Sequence, residues 1–283
     1  MKLLRFGPQG EEKPGLLDDD GTIRDLSGLI DDLGPTTLDA ATLARIASQD
    51  AVALPAVDGL VRLGPPVAAV GKFICVGLNY SDHAREAGLE VPSEPVLFAK
   101  ATSCICGPDD PVEKPADSTK LDWEVELAVV IGTPGRNIAE EKALDHAAGY
   151  TIVNDISERT FQIERQGQWI KGKSHDTFGP VGPWLVTRDE IDDPQNLDLW
   201  LDVNGDARQR GNTRTMVFPV AHCIAYVSRF MSLQVGDILS TGTPPGVGLG
   251  MKPPTFLEIG DTITLGVTGL GTQHQTVVAA TDP

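Results

Sequence analysis

Positive charge is scarce in this chain. Its 283 residues hold 23 Lys and Arg against 40 Asp and Glu, a formal net charge of −17. A phosphate-backbone partner calls for clustered Lys and Arg, so nucleic acid is disfavoured. An anionic membrane surface is disfavoured on the same ground. The acidic bulk leaves the sign of any one site open, because a single bound metal inverts it locally. Long apolar runs are missing as well. No segment approaches the ~20 residues of a membrane span. The opening "MKLLRFGPQGEEKPG" has no run that suits a signal peptide. A soluble, cytoplasmic protein is expected. Cysteine is sparse: Cys75, Cys104, Cys106 and Cys223. Cys104 and Cys106 are two apart, but no second pair or His cluster completes a zinc pattern. Buried, reduced thiols follow as the expectation. Internal repeats and low-complexity tracts are also lacking.

What is present divides in two. Residues 1–68 suggest a small N-terminal, β-rich domain. "MKLLRFG" and "PGLLDDDGTIRDLSG" read as short strands with Gly/Asp turns. "TLDAATLARIAS" reads as a helix capped by Thr37 or Asp39. "LPAVDGLVRLGPPVAAV" reads as a linker, with the boundary near Gly64 to Val70. Residues 69–283 form the larger domain. There "KFICVGLNY", "PVLFAK", "WEVELAVVIG", "YTIVNDI" and "LDLWLDVNG" read as strands, as do "DILSTG", "PTFLEI", "DTITLGV" and "TQHQTVVA". Helices are expected over "SDHAREAG", "AEEKALDHAAG", "ERTFQIERQ" and "FPVAHCIAYVSRFMS". Strands outnumber helices and do not alternate with them as in a doubly wound fold, so the fold class is α+β and strand-rich.

"LDWEVELAVVIG" poses a physical problem. It has the apolar, β-branched character of a buried strand, yet it carries Glu124 and Glu126. Residues two apart on a strand share a face. Two carboxylates side by side near apolar packing repel, and desolvation adds to the cost. A cation would relieve both. Asp155 ends another apolar strand, and three such acids would make an all-oxygen site suited to Mg²⁺, Mn²⁺ or Ca²⁺ rather than zinc. On spacing alone, the acids could equally be solvent-facing strand ends paired with Lys or Arg.

Three further stretches are suggestive. In "GLNYSDHAREAG", His83 and Glu86 would share a helix face, as a carboxylate-oriented general base requires; an ordinary surface His–Glu pair has the same spacing. In "WIKGKSHDTFGPVGPW", Lys173 sits in a Gly/Pro-rich loop, where a lysine beside a metal could polarise a carbonyl or enolate. An exposed turn lysine is the plain alternative, and Lys171 is a decoy two residues away. "STGTPPGVGLG" offers Thr241, Thr243 and approachable backbone amides, but lacks the Lys and spacing of a P-loop.

Taken together and in order, "GLNYSDHAREAG", "PVLFAKATS", "WEVELAVVIG", "YTIVNDISERTFQ", "KGKSHDTFGPVGP" and "GDILSTGTPPGVG" resemble the fumarylacetoacetate hydrolase family. The resemblance runs from about Lys72 to the C-terminus. It implies a mixed β-roll or β-sandwich catalytic domain and a homodimer, with a tetramer also open. It implies a divalent metal, Mg²⁺ or Mn²⁺, on Glu124, Glu126 and Asp155. It further implies a water-activating His83–Glu86 dyad on a segment that closes over substrate, a catalytic Lys173, and substrate contacts from Tyr80, Arg159, Gln162 and Thr243. The founding hydrolase has one more metal-ligating Asp; "GLNYS" has no acid there. The substrates implied are 2-oxo acids and β-diketones. A non-catalytic metal- or ligand-binding module is the alternative from another class, although such a module would need the acids and not the base.

Overall fold

The computed structural model describes residues 1–81 and 91–280. The chain enters through β1 (Lys2–Phe6), β2 (Lys13–Leu17) and β3 (Ile23–Asp25). It passes a helix at Ala40–Ala47 and reaches β4 (Leu63–Gly64), β5 (Phe73–Gly77) and β6 (Val96–Lys100). Then β7 (Ile105–Cys106), β8 (Val112–Lys114), β9 (Leu121–Asp122) and β10 (Val125–Ile131) lead to β11 (Ala147–Asn154) and β12 (Ser157–Glu158). The remaining strands are β13 (Gly179–Thr187), β14 (Asp198–Val203), β15 (Asp206–Asn212), β16 (Ile238–Ser240), β17 (Thr262–Val267) and β18 (Gly271–Ala279). A helix at Val220–Val227 precedes β16.

The strands build two main sheets, and the strand-rich α+β class expected from the sequence is what the chain adopts. The larger sheet runs β3-β2-β1-β13-β11-β10-β16-β5-β6, with β4 on β1 and β7 on β13. The smaller runs β15-β14-β17-β18-β8. Every residue of β10 is buried, as expected for a central strand with apolar side chains on both faces. The two sheets are joined by buried glutamines. Gln209 accepts from the Val125 amide at 3.0 Å. Gln273 donates to the Ile152 and Gly182 carbonyls, beside the point where the β11–β13 register shifts. Irregular pairing leaves backbone groups without ladder partners, and these amides satisfy them.

The N-terminal strands belong to the same sheet: Lys2 and Leu3 of β1 pair with Val186 and Leu185 of β13. Asp39 caps the Ala40–Ala47 helix, accepting from the Ala41 and Thr42 amides. The expected linker contains β4, which pairs with β1. All four cysteines are buried and free.

Some local expectations are corrected. "PTFLEI" forms no strand; its Thr255 amide bonds to the Gly248 carbonyl and its Leu257 amide to the Leu121 carbonyl. "GPVGPW", expected as loop, opens the nine-residue strand β13. "AEEKALDHAAG" is a 3-10 turn, Glu140–His146, that runs straight into β11. "ERTFQIERQ" is a single π turn over Thr160–Glu164. Lys173 is not in a loop but ends the helical turn Ile170–Lys173. The helix expected over "SDHAREAG" lies largely outside the described residues. No helix among the described residues is long and apolar enough to cross a membrane.

Candidate metal centre and active site

Three neighbouring strands of the large sheet bring the acids together. In the β10–β11 register Val125 pairs with Asn154, and one step further the Asp155 amide bonds to the Glu124 carbonyl at 2.9 Å. Asp155 therefore lies across from Glu124 at the start of β10. On the other side Ala128 pairs with Ser240 of β16. That places Ser240 and Gly242 beside Glu126, whose Oε2 accepts from the Ser240 hydroxyl and from the Gly242 amide at 3.0 Å. One carboxylate oxygen from each of Glu124, Glu126 and Asp155 lies within 4.8 Å of the others. All three side chains are buried.

The charges are unevenly met. The Lys173 ammonium donates to Glu124 Oε2 at 2.9 Å and to Asp155 Oδ2 at 2.7 Å. Lys100, fully buried, donates to Asp155 Oδ1 at 2.6 Å. Arg159 donates to Glu124 Oε1 at 2.7 Å, to Asp122 Oδ2 at 2.8 Å and to Gln162 Oε1 at 3.0 Å. No cation among the described residues forms an ion pair with Glu126. The acids thus satisfy part of the plain alternative, since two are paired with basic side chains, but they are not solvent-facing.

Ionisation follows this pattern. Burial alone would raise the Glu124 carboxyl, but Lys173 and Arg159 outweigh it and hold it at about 2. Burial pushes Glu126 well above the usual carboxylate range, and the charges of Asp155 and Glu124 push it further. Burial opposes the Lys173 charge, and Asp155 and Glu124 more than restore it, so the ammonium is held above the ordinary lysine value.

A divalent cation fits this arrangement. Its donors are all carboxylate oxygens, the hard set that Mg²⁺ and Mn²⁺ prefer. Oxygens sharing an ion at ~2.1 Å stand no more than about 4.2 Å apart, so 4.8 Å needs only a small contraction. The buried Glu126 carboxyl, whose ionised form has no counter-ion from the described residues and is disfavoured by burial and by its acidic neighbours, is the feature a cation would answer.

A cavity of about 500 Å³ opens on this cluster. Glu124, Glu126, Arg159, Gln162, Lys173 and Thr243 line it, together with Phe98, Trp169, Val247, Leu249 and Met251. Asp155 is fully buried and does not itself line it. Thr243 reaches the cavity, but its hydroxyl donates to the Val125 carbonyl at 2.9 Å and accepts from Gln209 at 2.8 Å. A carboxylate can only accept, so contact with one would require that donated bond to break. Tyr80 is fully buried, away from the lining, and its hydroxyl has no hydrogen-bond partner among the described residues. His83 and Glu86 lie outside the described residues.

Two side chains of the centre escaped the sequence reading. Lys100 ends "PVLFAK", and nothing local ties it to an acid 55 residues away. Asp122 was legible in principle, since it precedes Glu124 by the same two-residue step. Fully buried, it accepts from Arg159 and from the amides of Trp123, Gly248 and Leu249. It ties the loop that walls the cavity to the guanidinium beside Glu124.

The sequence profile of the "Fumarylacetoacetate (FAA) hydrolase C-terminal" family matches residues 72–278, and the chain belongs to that family. A Burkholderia multivorans protein, named a hydrolase without a substrate, is 60% identical over 281 residues, 99% of this chain and 100% of that protein. Among solved structures, the fumarylacetoacetate hydrolase of psychrophilic Exiguobacterium antarcticum is 40% identical with a TM-score of 0.88, covering 99% of this chain and 100% of that one. The maleylpyruvate hydrolase of Sphingobium sp. SYK-6, in complex with manganese (II) ion and pyruvate, is 31% identical with a TM-score of 0.82, covering 99% and 100%. The 2-hydroxyhepta-2,4-diene-1,7-dioate isomerase of Mycobacterium marinum is 33% identical with a TM-score of 0.75, covering 100% of both chains. Hydrolases and isomerases therefore share this architecture.

Proposed function

We propose that the chain is a metal-dependent hydrolase that cleaves the C–C bond of a 2,4-dioxo acid. Its substrate in this reading is 2,4-diketo-3-deoxy-L-rhamnonate, split to pyruvate and L-lactate in sugar-acid breakdown. The observation that carries the reading is the trio Glu124, Glu126 and Asp155 gathered beside a cavity, with Glu126 lacking a counter-ion among the described residues. The Sphingobium relative adds support, because it holds both manganese (II) and pyruvate.

A Mg²⁺ or Mn²⁺ held by Glu124, Glu126 and Asp155 would supply Lewis-acid polarisation of a chelating 2-oxo acid. The protein's own groups do the rest. Arg159 and Gln162 stand at the cavity to bind the substrate carboxylate. His83, oriented by Glu86, takes a proton from water. The hydroxide adds to the C4 carbonyl and the C3–C4 bond breaks. Its electron pair stays on C3, as the enolate of pyruvate. The Lys173 ammonium, anchored on Glu124 and Asp155, faces that developing charge. A proton delivered to C3 completes pyruvate, and the acyl fragment leaves as L-lactate.

A second reading is isomerisation of a 2-oxo acid through the same enolate, favoured by the Mycobacterium marinum neighbour. The test is pyruvate release from a panel of 2,4-dioxo acids with and without EDTA. Chelator-sensitive release supports the hydrolase. A substrate shifted in its double bonds without pyruvate would favour the isomerase, and carbon dioxide from oxaloacetate a decarboxylase. Metal bound with no product from any substrate would favour the non-catalytic module.

A further inference from the structure

The cavity lining divides by chemistry. Glu124, Glu126, Arg159, Gln162 and Lys173 are its charged and polar side; Phe98, Trp169, Val247, Leu249 and Met251 are its apolar side. The two sides meet at Phe98. The Lys173 ammonium lies 5.0 Å from the centre of the Phe98 ring. The Trp169 ring lies 5.2 Å from the same ring, tilted by 60°. Trp169 is the N-cap of the helical turn that Lys173 ends, so a single piece of backbone places both. Phe98 and Trp169 thus continue the cavity wall from the Lys173 ammonium, and an acyl end that passed Lys173 on that side would run along them.

The indole is seated by a missing side chain. A Cβ on Gly77 would come within 2.7 Å of Trp169 Cζ3 and 3.1 Å of Cη2. Gly77 has no positive φ, so what requires glycine here is space for the indole. The benzo edge of Trp169 is turned towards Gly77, and the ring is half-buried. Lys252 also borders the cavity and is exposed.

We propose that Trp169, seated over Gly77 and backed by Phe98, is the specificity-determining wall for the acyl end of the substrate. It selects 2,4-dioxo acids ending in a methyl group over those ending in a hydroxymethyl group. This rests on the hydrolase reading above. A terminal methyl packs on the ring face and on Leu249 and Met251. A terminal hydroxyl there gives up water, and the ring face, Leu249 and Met251 offer it no strong hydrogen-bonding partner.

The test compares kcat/KM for pyruvate release, with Mn²⁺ present, for 2,4-diketo-3-deoxy-L-rhamnonate and its 6-hydroxy analogue, which differ only at the terminal carbon. An apolar pocket discriminates against an added hydroxyl by up to about 100-fold, and a preference of roughly 10- to 100-fold for the methyl acid is expected in the full chain. Trp169→Phe keeps a ring face and should keep the preference. Trp169→Ala removes the wall and should bring the ratio near one. Damage to the turn that carries Lys173 would lower both substrates together and leave the ratio unchanged. Gly77→Ala drives the indole into the cavity and should penalise an acyl end longer by one methylene more than the parent acid. A wild-type ratio near one, or a ratio that Trp169→Ala leaves intact, overturns the proposal. Loss of the preference in Trp169→Phe also overturns it, because a ring face at this position would then not be what selects the methyl group. Absence of pyruvate from both acids overturns the hydrolase reading itself and the substrate class with it.

Discussion

Glu126 is the residue on which the centre turns, because it is buried beside two other acids and has no ion pair from the described residues. Its effect on stability has a definite sign. Between the ordinary glutamate value of 4.5 and its raised value in the fold, the native protein keeps a proton that the unfolded chain releases. Metal-free stability therefore declines as pH rises through that window. Glu126→Gln is neutral and nearly isosteric. Without metal, this variant should melt higher than wild type at neutral pH, while gaining nothing from added Mn²⁺; differential scanning calorimetry with and without the ion checks both. Glu124 has the opposite sign. Its carboxyl is at about 2 in the fold, so its contribution is fully present above 4.5 and is lost as pH falls from there towards 2. Removing Lys173 should erode that acid tolerance: Lys173→Met is expected to bring acid unfolding to higher pH, followed by circular dichroism. The alternation of Glu124 and Glu126 on an apolar strand made these acids legible in the sequence. Lys100 was not, because its role depends on an acid 55 residues away; Asp122 shares the two-residue step, but its link to Arg159, 37 residues on, does not show in the local pattern.

At the scale of elements, legibility followed periodicity. Strands β1, β5, β6, β10, β11, β14, β17 and β18 showed in the alternation or in continuous apolar runs. β13 did not, because its Gly179, Pro180, Gly182 and Pro183 signal loop, and the sheet overrides that signal by pairing it with β11 and β1. The turn carrying Lys173 was missed for a related reason: its stability comes from packing on the π turn rather than from propensity. A Cβ on Gly172 would lie 2.4 Å from the Glu158 carbonyl oxygen and 2.5 Å from the Gln162 nitrogen. Gly172→Ala must push these two turns apart, at a cost of about 1–3 kcal/mol of stability. It should also lower kcat of pyruvate release by displacing Lys173, an effect readable by denaturant melts and steady-state kinetics.

At the scale of the whole molecule, the family and the strand-rich fold were legible because six motifs occur in order, and the profile match over residues 72–278 covers the same region. How the N-terminal strands sit was not legible. Their pairing with β13 is a contact of nearly two hundred residues in sequence separation, which local pattern cannot reveal. A homodimer is the proposed assembly. Sedimentation equilibrium should give twice the 30.1 kDa chain mass, and a monomer at micromolar concentration would refute it. One divalent ion held by Glu124, Glu126 and Asp155 is the central proposal. The most direct test is isothermal titration of Mn²⁺ into chelator-stripped protein at neutral pH. One ion per chain, with affinity falling by more than about 100-fold in Glu126→Ala, is the predicted result. No binding by the wild type, or equal binding by the variant, would contradict it.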